Sequence, residues 1–200
     1  MSVIRMGKAL SVTLVCLLAL SACGSGPPPK LYLLELPAVA ELQIDASSIN
    51  VLGISQITVP GYASDARIAS RETNGVITQR DNERWAEDPE QAITRLLASR
   101  LKVRAGATVL VEPWPRDYQP QARVEVMFDR LLRQPDGGAH LAGQIQLLSG
   151  DGRKVLQVVL FNYRIEANNT NARTFFTSVA QGVDAIAIDA IEALLASGRS

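Results

Sequence analysis

Val124-Glu125-Val126-Met127-Phe128-Asp129, then Leu141-Ala142-Gly143-Gln144-Ile145-Gln146-Leu147, then the run from Val155 to Ile165, decide the fold of this chain. Val124, Val126 and Phe128 alternate with Glu125 and Asp129, and Leu141, Gly143, Ile145 and Leu147 alternate with Gln144 and Gln146. A period of two puts every second side chain on one face of a strand, so each run reads as a strand with one buried face. Val155, Val159, Phe161, Tyr163 and Ile165 continue the pattern less cleanly. The connections Pro135-Asp136-Gly137-Gly138 and Gly150-Asp151-Gly152 carry tight-turn chemistry, which makes the three runs an antiparallel meander.

Working outward, Thr174 to Ser197 has the helical period. Phe176, Val179, Val183, Ile186, Ala187, Ala190 and Leu194 form one stripe, with Ser178, Gln181, Asp189 and Glu192 opposite. Before the meander, Asp88-Pro89-Glu90-Gln91 is a helix start: Asp88 caps, Pro89 suits the first position, and Gln91 stands three residues after the cap. Ile93, Leu96, Leu97 and Leu101 follow at helical spacing; Arg100, Lys102 and Arg104 crowd the last turn as a solvated end, and Gly106 closes it. Thr108 to Val111 is a short strand ended by Pro113-Trp114-Pro115.

Further upstream, Ile49, Val51, Gly53, Ser55, Ile57 and Val59 fall on one side of a strand and Leu52 and Ile54 on the other, which suggests a strand covered on both faces. Arg67 to Arg71 and Val76 to Gln79 form a hairpin around Glu72-Thr73-Asn74-Gly75. Leu31 to Leu36 is a short strand that Pro37 ends, and residues 38–48 are a loop. The order strands, helix, strands, helix predicts an α/β single-domain sandwich: a mixed, largely antiparallel sheet with two main helices packed against it.

The start of the chain gives its address. Arg5 and Lys8 precede an apolar run from Ala9 to Leu20, which is shorter than the roughly 20 residues a bilayer-spanning helix needs. Leu20-Ser21-Ala22-Cys23 then resembles a bacterial lipobox, with cleavage between Ala22 and Cys23 and acyl chains on Cys23. Residues 1–22 are read as a lipoprotein signal peptide, 23–30 as the lipidated cysteine and a Gly/Ser/Pro tether, and 31–200 as the folded domain. The tether reaches about 20 Å at roughly 3 Å per residue.

Composition limits the chemistry. The chain carries 20 basic and 20 acidic residues. Loss of Arg5 and Lys8 leaves 18 against 20, which gives no basis for a nucleic-acid partner. Cys16 goes with the signal peptide, so the mature chain has no disulfide partner for Cys23 and no thiol for catalysis. The single histidine, His140, is expected in a surface turn, and no cluster of metal-ligand spacing stands near it. There is no P-loop, Gly-x-Ser-x-Gly elbow or Gly-x-Gly-x-x-Gly. Asp81/Glu83 and Glu87/Asp88 read as solvated carboxylates. An enzyme is not expected, and no cofactor beyond the covalent lipid on Cys23. One stretch stands out, Arg80-Asp81-Asn82-Glu83-Arg84-Trp85-Ala86-Glu87, with a lone Trp among charges. Its Trp either anchors a loop over the core or joins the arginines as a hot spot for a protein partner.

These residues together resemble the ABC-type transport auxiliary lipoproteins, the paraquat-inducible protein C and YmbA group. The resemblance is carried by the lipobox at Cys23, Tyr32 to Leu34, Ile57-Thr58-Val59-Pro60-Gly61-Tyr62, Ile68 with Arg71, Arg84-Trp85-Ala86-Glu87, Pro113-Trp114-Pro115 and the C-terminal helix. The chain departs from the family where Leu31-Tyr32 stands for two tyrosines, and where Asp88-Pro89 stands for Pro-Leu. The resemblance implies a lipoprotein working beside a protein with mammalian-cell-entry (MCE) domains and an inner-membrane transport component, in lipid traffic and envelope integrity. It also implies a sheet with helices against it and a ring-forming homo-oligomer. Gly24 and Ser25 after Cys23 favour the outer membrane by the enterobacterial sorting rule. Partner binding is expected at Arg71, Arg84 and Trp85. The rival readings are a lipid-binding periplasmic carrier, a general envelope-assembly lipoprotein and an enzyme acting on envelope material.

Overall fold

The computed structural model describes residues 27–35 and 44–198. Ala22, Cys23 and the loop between the first two strands therefore lie outside the described residues, wholly or in large part. The meander is present as expected: β6 (Ala122–Arg133), β7 (Ala139–Ser149) and β8 (Val155–Ile165) pair antiparallel along nearly their whole lengths. Val124, Val126, Phe128, Ile145 and Leu147 are buried together, so the alternation in the sequence does mark the core face. Gly143 is required by close approach, because a Cβ there would stand 2.1 Å from the Met127 carbonyl oxygen.

The remaining strands attach to the other edge of β6. β2 (Val51–Ile54) lies parallel to the first part of β6 and to β5 (Thr108–Val111). Beyond β2 the chain stays beside β6, with Thr58 N–H donating to the Val126 carbonyl at 3.1 Å. β3 (Arg67–Arg71) meets the far end of β6 at Arg133, and continues outward through β4 (Ile77–Trp85) to β1 (Lys30–Tyr32). The result is an open, mixed sheet of eight strands. Several boundaries differ from expectation. The strand expected over Leu31 to Leu36 ends at Tyr32, and the one expected over Ile49 to Val59 is regular strand only over Val51–Ile54, beyond which single hydrogen bonds such as that of Thr58 keep the chain beside β6. Lys30, assigned to the tether, begins β1 and pairs with Glu83; and β4 runs on to Trp85, so the charged stretch Arg80 to Arg84 is strand rather than loop. Glu83 is no solvated carboxylate: Arg133 donates to it at 2.8 Å.

Two helices cover one face. In α1 (Pro89–Ala105) the Asp88 carboxylate accepts the Gln91 N–H at 3.0 Å, and Gly106 ends the helix at φ 66°, where glycine has no Cβ penalty. α2 (Ala172–Ser197) is capped by Asn171 and buries the whole apolar stripe read from the sequence. It buries Ser178 as well, because α2 packs on the sheet with one side and on α1 with another.

The basic end of α1 is not solvated. Arg100 and Arg104 are buried, and both reach Asp184 of α2: Arg104 Nε donates to its carboxylate at 3.1 Å, and Arg100 Nε lies 3.5 Å away. Hydrogen bonding to Asp184 raises the Arg104 pKa, while burial is the main influence lowering that of Arg100. The pairing fixes the register of the two helices. The opposite face of β2 is covered by the segment after β5, where Trp114 lies so close over Gly53 that a Cβ would come within 2.8 Å of its ring. Tyr118 OH donates to the Leu52 carbonyl at 2.6 Å and holds that segment down. Thus β2 is covered on both faces, once by core and once by loop.

Removing one member of a buried ion group leaves the other uncompensated. Asp184→Ala should cost about 3–5 kcal/mol in urea unfolding, and combining it with Arg104→Met should recover part of that loss.

Candidate functional site

β1 and β4 run side by side with Leu31 opposite Arg84 and Tyr32 opposite Trp85. The strand pleat therefore sends Arg84 and Trp85 to opposite faces. Trp85 points into the core with 4% of its surface exposed. Its ring meets Phe176 edge-on at 4.6 Å and Phe175 at 6.0 Å, while Tyr32 stacks on Phe176 at 5.6 Å. Of the two roles open to Trp85 from sequence, the geometry gives it anchoring: it fixes the end of β4 from behind and offers a partner no surface of its own.

Arg84 faces outward. It donates to the Asp81 carbonyl at 3.2 Å and lies 3.5 Å from the Asp81 carboxylate. Arg67, directly across β3, holds Asp65 at 2.8 Å, and those hydrogen bonds lower the Asp65 pKa to about 2. Arg71 stands at the far end of β3 opposite Ile77 and lines a cleft of about 270 Å³ with Ser70, Glu72, Arg80, Arg133 and Thr170. Alternation along β3 places Arg67 and Arg71 on one face, and pairing puts Arg84 on the face of Arg67. The structure thus brings Arg71 and Arg84 to the helix-free side of the sheet, at opposite ends of β3, with Trp85 on the other side.

A second cleft, of about 310 Å³, opens between β1 and the start of α2, lined by Leu31, Tyr32, Leu33, Glu35, Arg173 and Phe176. Leu31 and Leu33 are more than half exposed. Among the described residues no group of three or more His, Cys, Asp or Glu side chains converges as a metal site would require, and no helix is long and apolar enough to cross a membrane.

His140 departs most from expectation. It lies inside β7 and only 3% of it is exposed, with Nε2 2.8 Å from the Asn162 Oδ1 of β8. A Gly-rich turn before it suggested a surface position, but the strand begins one residue earlier, at Ala139. Glycine signals mark turns well and strand onsets poorly.

The family model for the ABC-type transport auxiliary lipoprotein component matches residues 32–190. The chain belongs to this family. Its fold is shared with solved structures of low sequence identity. A protein described only as uncharacterized in its crystal structure is 18% identical, with 84% of this chain and 99% of that one covered at a TM-score of 0.67. A Xanthomonas campestris protein of family DUF330 is 14% identical, with 85% and 97% covered at a TM-score of 0.61. A PelC dodecamer from Paraburkholderia phytofirmans aligns more loosely, at 13% identity, 76% and 94% coverage and a TM-score of 0.47. A search of the curated proteins finds no match. The ABC-type auxiliary lipoprotein is therefore a membrane-associated component of a transport system by family.

The two faces of the β4 end should separate by substitution. Trp85→Ala removes a buried aromatic cluster member and should cost about 3–5 kcal/mol in thermal or urea unfolding. Arg84→Ala, on a half-exposed side chain, should stay within about 1 kcal/mol of the parent.

Proposed function

We propose that this auxiliary lipoprotein is a non-enzymatic periplasmic subunit of an MCE-type lipid transport system, anchored in the outer membrane through Cys23, and that it docks the MCE protein with the β1–β4–β3 region. The supporting observation is the placement of Arg84: it projects outward from a strand end that Trp85, Tyr32 and Phe176 hold rigid from behind. A cation backed by a buried aromatic cluster is preorganised, so little ordering entropy opposes its use in an interface. The other support is proximity. The tether joins the domain at β1, the strand that pairs with the one bearing Arg84. An anchor about 20 Å from that edge keeps the docking face near the membrane.

On this reading Arg84 and Arg71 contact the partner, Trp85 positions Arg84, and Cys23 sets the end of the periplasm at which the conduit is met. A photo-crosslinker placed at Arg84 in intact cells should capture an MCE-domain protein, while one at Lys154, on the turn before β8, should not. Equal capture at both sites, or none at Arg84, overturns the docking face. Cys23→Ala should release the chain from membranes on cell fractionation without lowering its melting temperature, since the tether precedes the core. Retention of that variant on membranes would show that Cys23 is not the anchor.

A further inference from the structure

The helix-free face of the meander carries an unusual group. His140 pairs with Leu132 on β6 and with Arg164 on β8; one pleat away, Ala142 pairs with Arg130 and Asn162. Cross-strand partners and residues two apart share a face, so His140, Arg130 and Arg164 lie together, and Arg71 of the neighbouring β3 is close enough for its charge to act on His140. No described carboxylate pairs with Arg71, Arg130 or Arg164, in contrast to Arg67, Arg95, Arg104 and Arg133. Beneath them His140 Nδ1 is buried and has no hydrogen-bond partner. Buried polar atoms without partners are rare, and one that shares a face with Arg130 and Arg164 and feels the charge of Arg71 as well points to a missing anion.

The same face continues as an apolar row. Going down β8 from Arg164, Asn162 is followed by Leu160 and Val158, which are 78% and 49% exposed, and Met127 of β6 beside them is 43% exposed. Gln144 and Gln146 complete the row, both donating to the Met127 sulfur, and carry no charge. From Arg164 to Val158 the strand spans about 20 Å. Positive charge at one end and the uncharged side chains of Leu160, Val158, Met127, Gln144 and Gln146 along the rest are the complement of an amphiphile with an anionic head; Glu125, opposite Gln146 past Met127, marks the far end of that row and accepts from Ser55 Oγ at 3.2 Å. An acidic peptide would find its first charge met and the following ones facing leucine, valine and methionine.

We infer that Arg71, Arg130, Arg164 and His140 form a binding site for the anionic headgroup of a phosphodiester lipid, whose acyl chains lie along Met127, Val158 and Leu160. Guanidiniums present paired N–H donors that match phosphate oxygens. Without the anion, burial and the charges of Arg130, Arg164 and Arg71 lower the His140 pKa, although the Asn162 hydrogen bond opposes them. A bound phosphate cancels that repulsion and gives a protonated Nδ1 an acceptor, so the ligand should bring a proton to His140. The site goes beyond the docking reading, which uses the β1 edge. Arg71 is common to both and is left intact in the test.

Because the chain has one histidine, its imidazole NMR signals report the site without assignment of the rest. The full lipidated chain in an uncharged maltoside detergent is titrated with dihexanoyl phosphatidylglycerol, with inorganic phosphate and with a glutamate-rich peptide. Saturable movement of the His140 signals by the lipid, with the His140 pKa raised, and binding at least about tenfold tighter than phosphate, is the expected result. Arg130→Gln with Arg164→Gln should weaken lipid binding about tenfold or more. Leu160→Gln, an exposed position that does not threaten folding, should weaken the lipid and leave phosphate unchanged. The inference is overturned if the lipid leaves His140 unmoved, if phosphate or the peptide binds as tightly as the lipid, or if the Leu160 variant binds the lipid like the parent.

Discussion

The three groups of strands in this sheet, β1–β4–β3, β2–β5 and β7–β8, meet only at β6. Its twelve residues present two edges of backbone donors and acceptors, and a buried backbone group without a partner costs as much as a lost hydrogen bond. One edge is filled by β7 along its whole length. The other is divided between the β2 segment and the tip of β3, so the sheet branches there into two parallel-paired wings. The bulge between Phe128 and Arg130 lies between those contacts. It bends the strand where one wing ends and the other begins, which is what an extra residue in an antiparallel pair does. The helices follow from this, since α2 covers β7 and β8 and α1 closes against α2 and β5.

What was legible in the sequence was what is local. Alternation in Val124 to Phe128 and Leu141 to Leu147, and the Asp88-Pro89 cap, are set by neighbours within a few residues, and each element formed where its pattern stood. What was not legible depends on partners far along the chain. Arg100 and Arg104 read as a solvated helix end because Asp184, which holds them, is 80 residues away from Arg104. Arg80 to Arg84 read as loop because charge is depleted in strands; here Arg133 takes Glu83, while Arg84 and Asp81 satisfy one another outside. His140 was misplaced for the same reason. Asn162, which makes a strand position tolerable for its imidazole, belongs to the next strand.

The stretch proposed for docking shows how a sequence reading can group residues that the fold separates. Adjacent residues on a strand face opposite ways, so Arg84 and Trp85 could never both have met the same partner once the stretch was a strand. As a loop, they could. The buried aromatic cluster holds Trp85 in position, and the pleat presents Arg84 on the opposite face.

A sheet covered by helices on one face must also do something with the other, and the cheapest solution is polar residues throughout. This chain does that only in part. Trp114 and Tyr118 cover β2, and Glu125 with Gln144 and Gln146 keep part of the meander polar. Leu160, Val158 and Met127 remain in water, and at one end three guanidiniums without described carboxylate partners act on a buried imidazole. Neither feature assists folding: a buried leucine is worth about 1.5–3 kcal/mol and an exposed one nearly nothing, while clustered like charges oppose the compact state. Two features that each work against stability, side by side on one face and complementary to the two ends of one kind of molecule, are better explained by a ligand than by the fold.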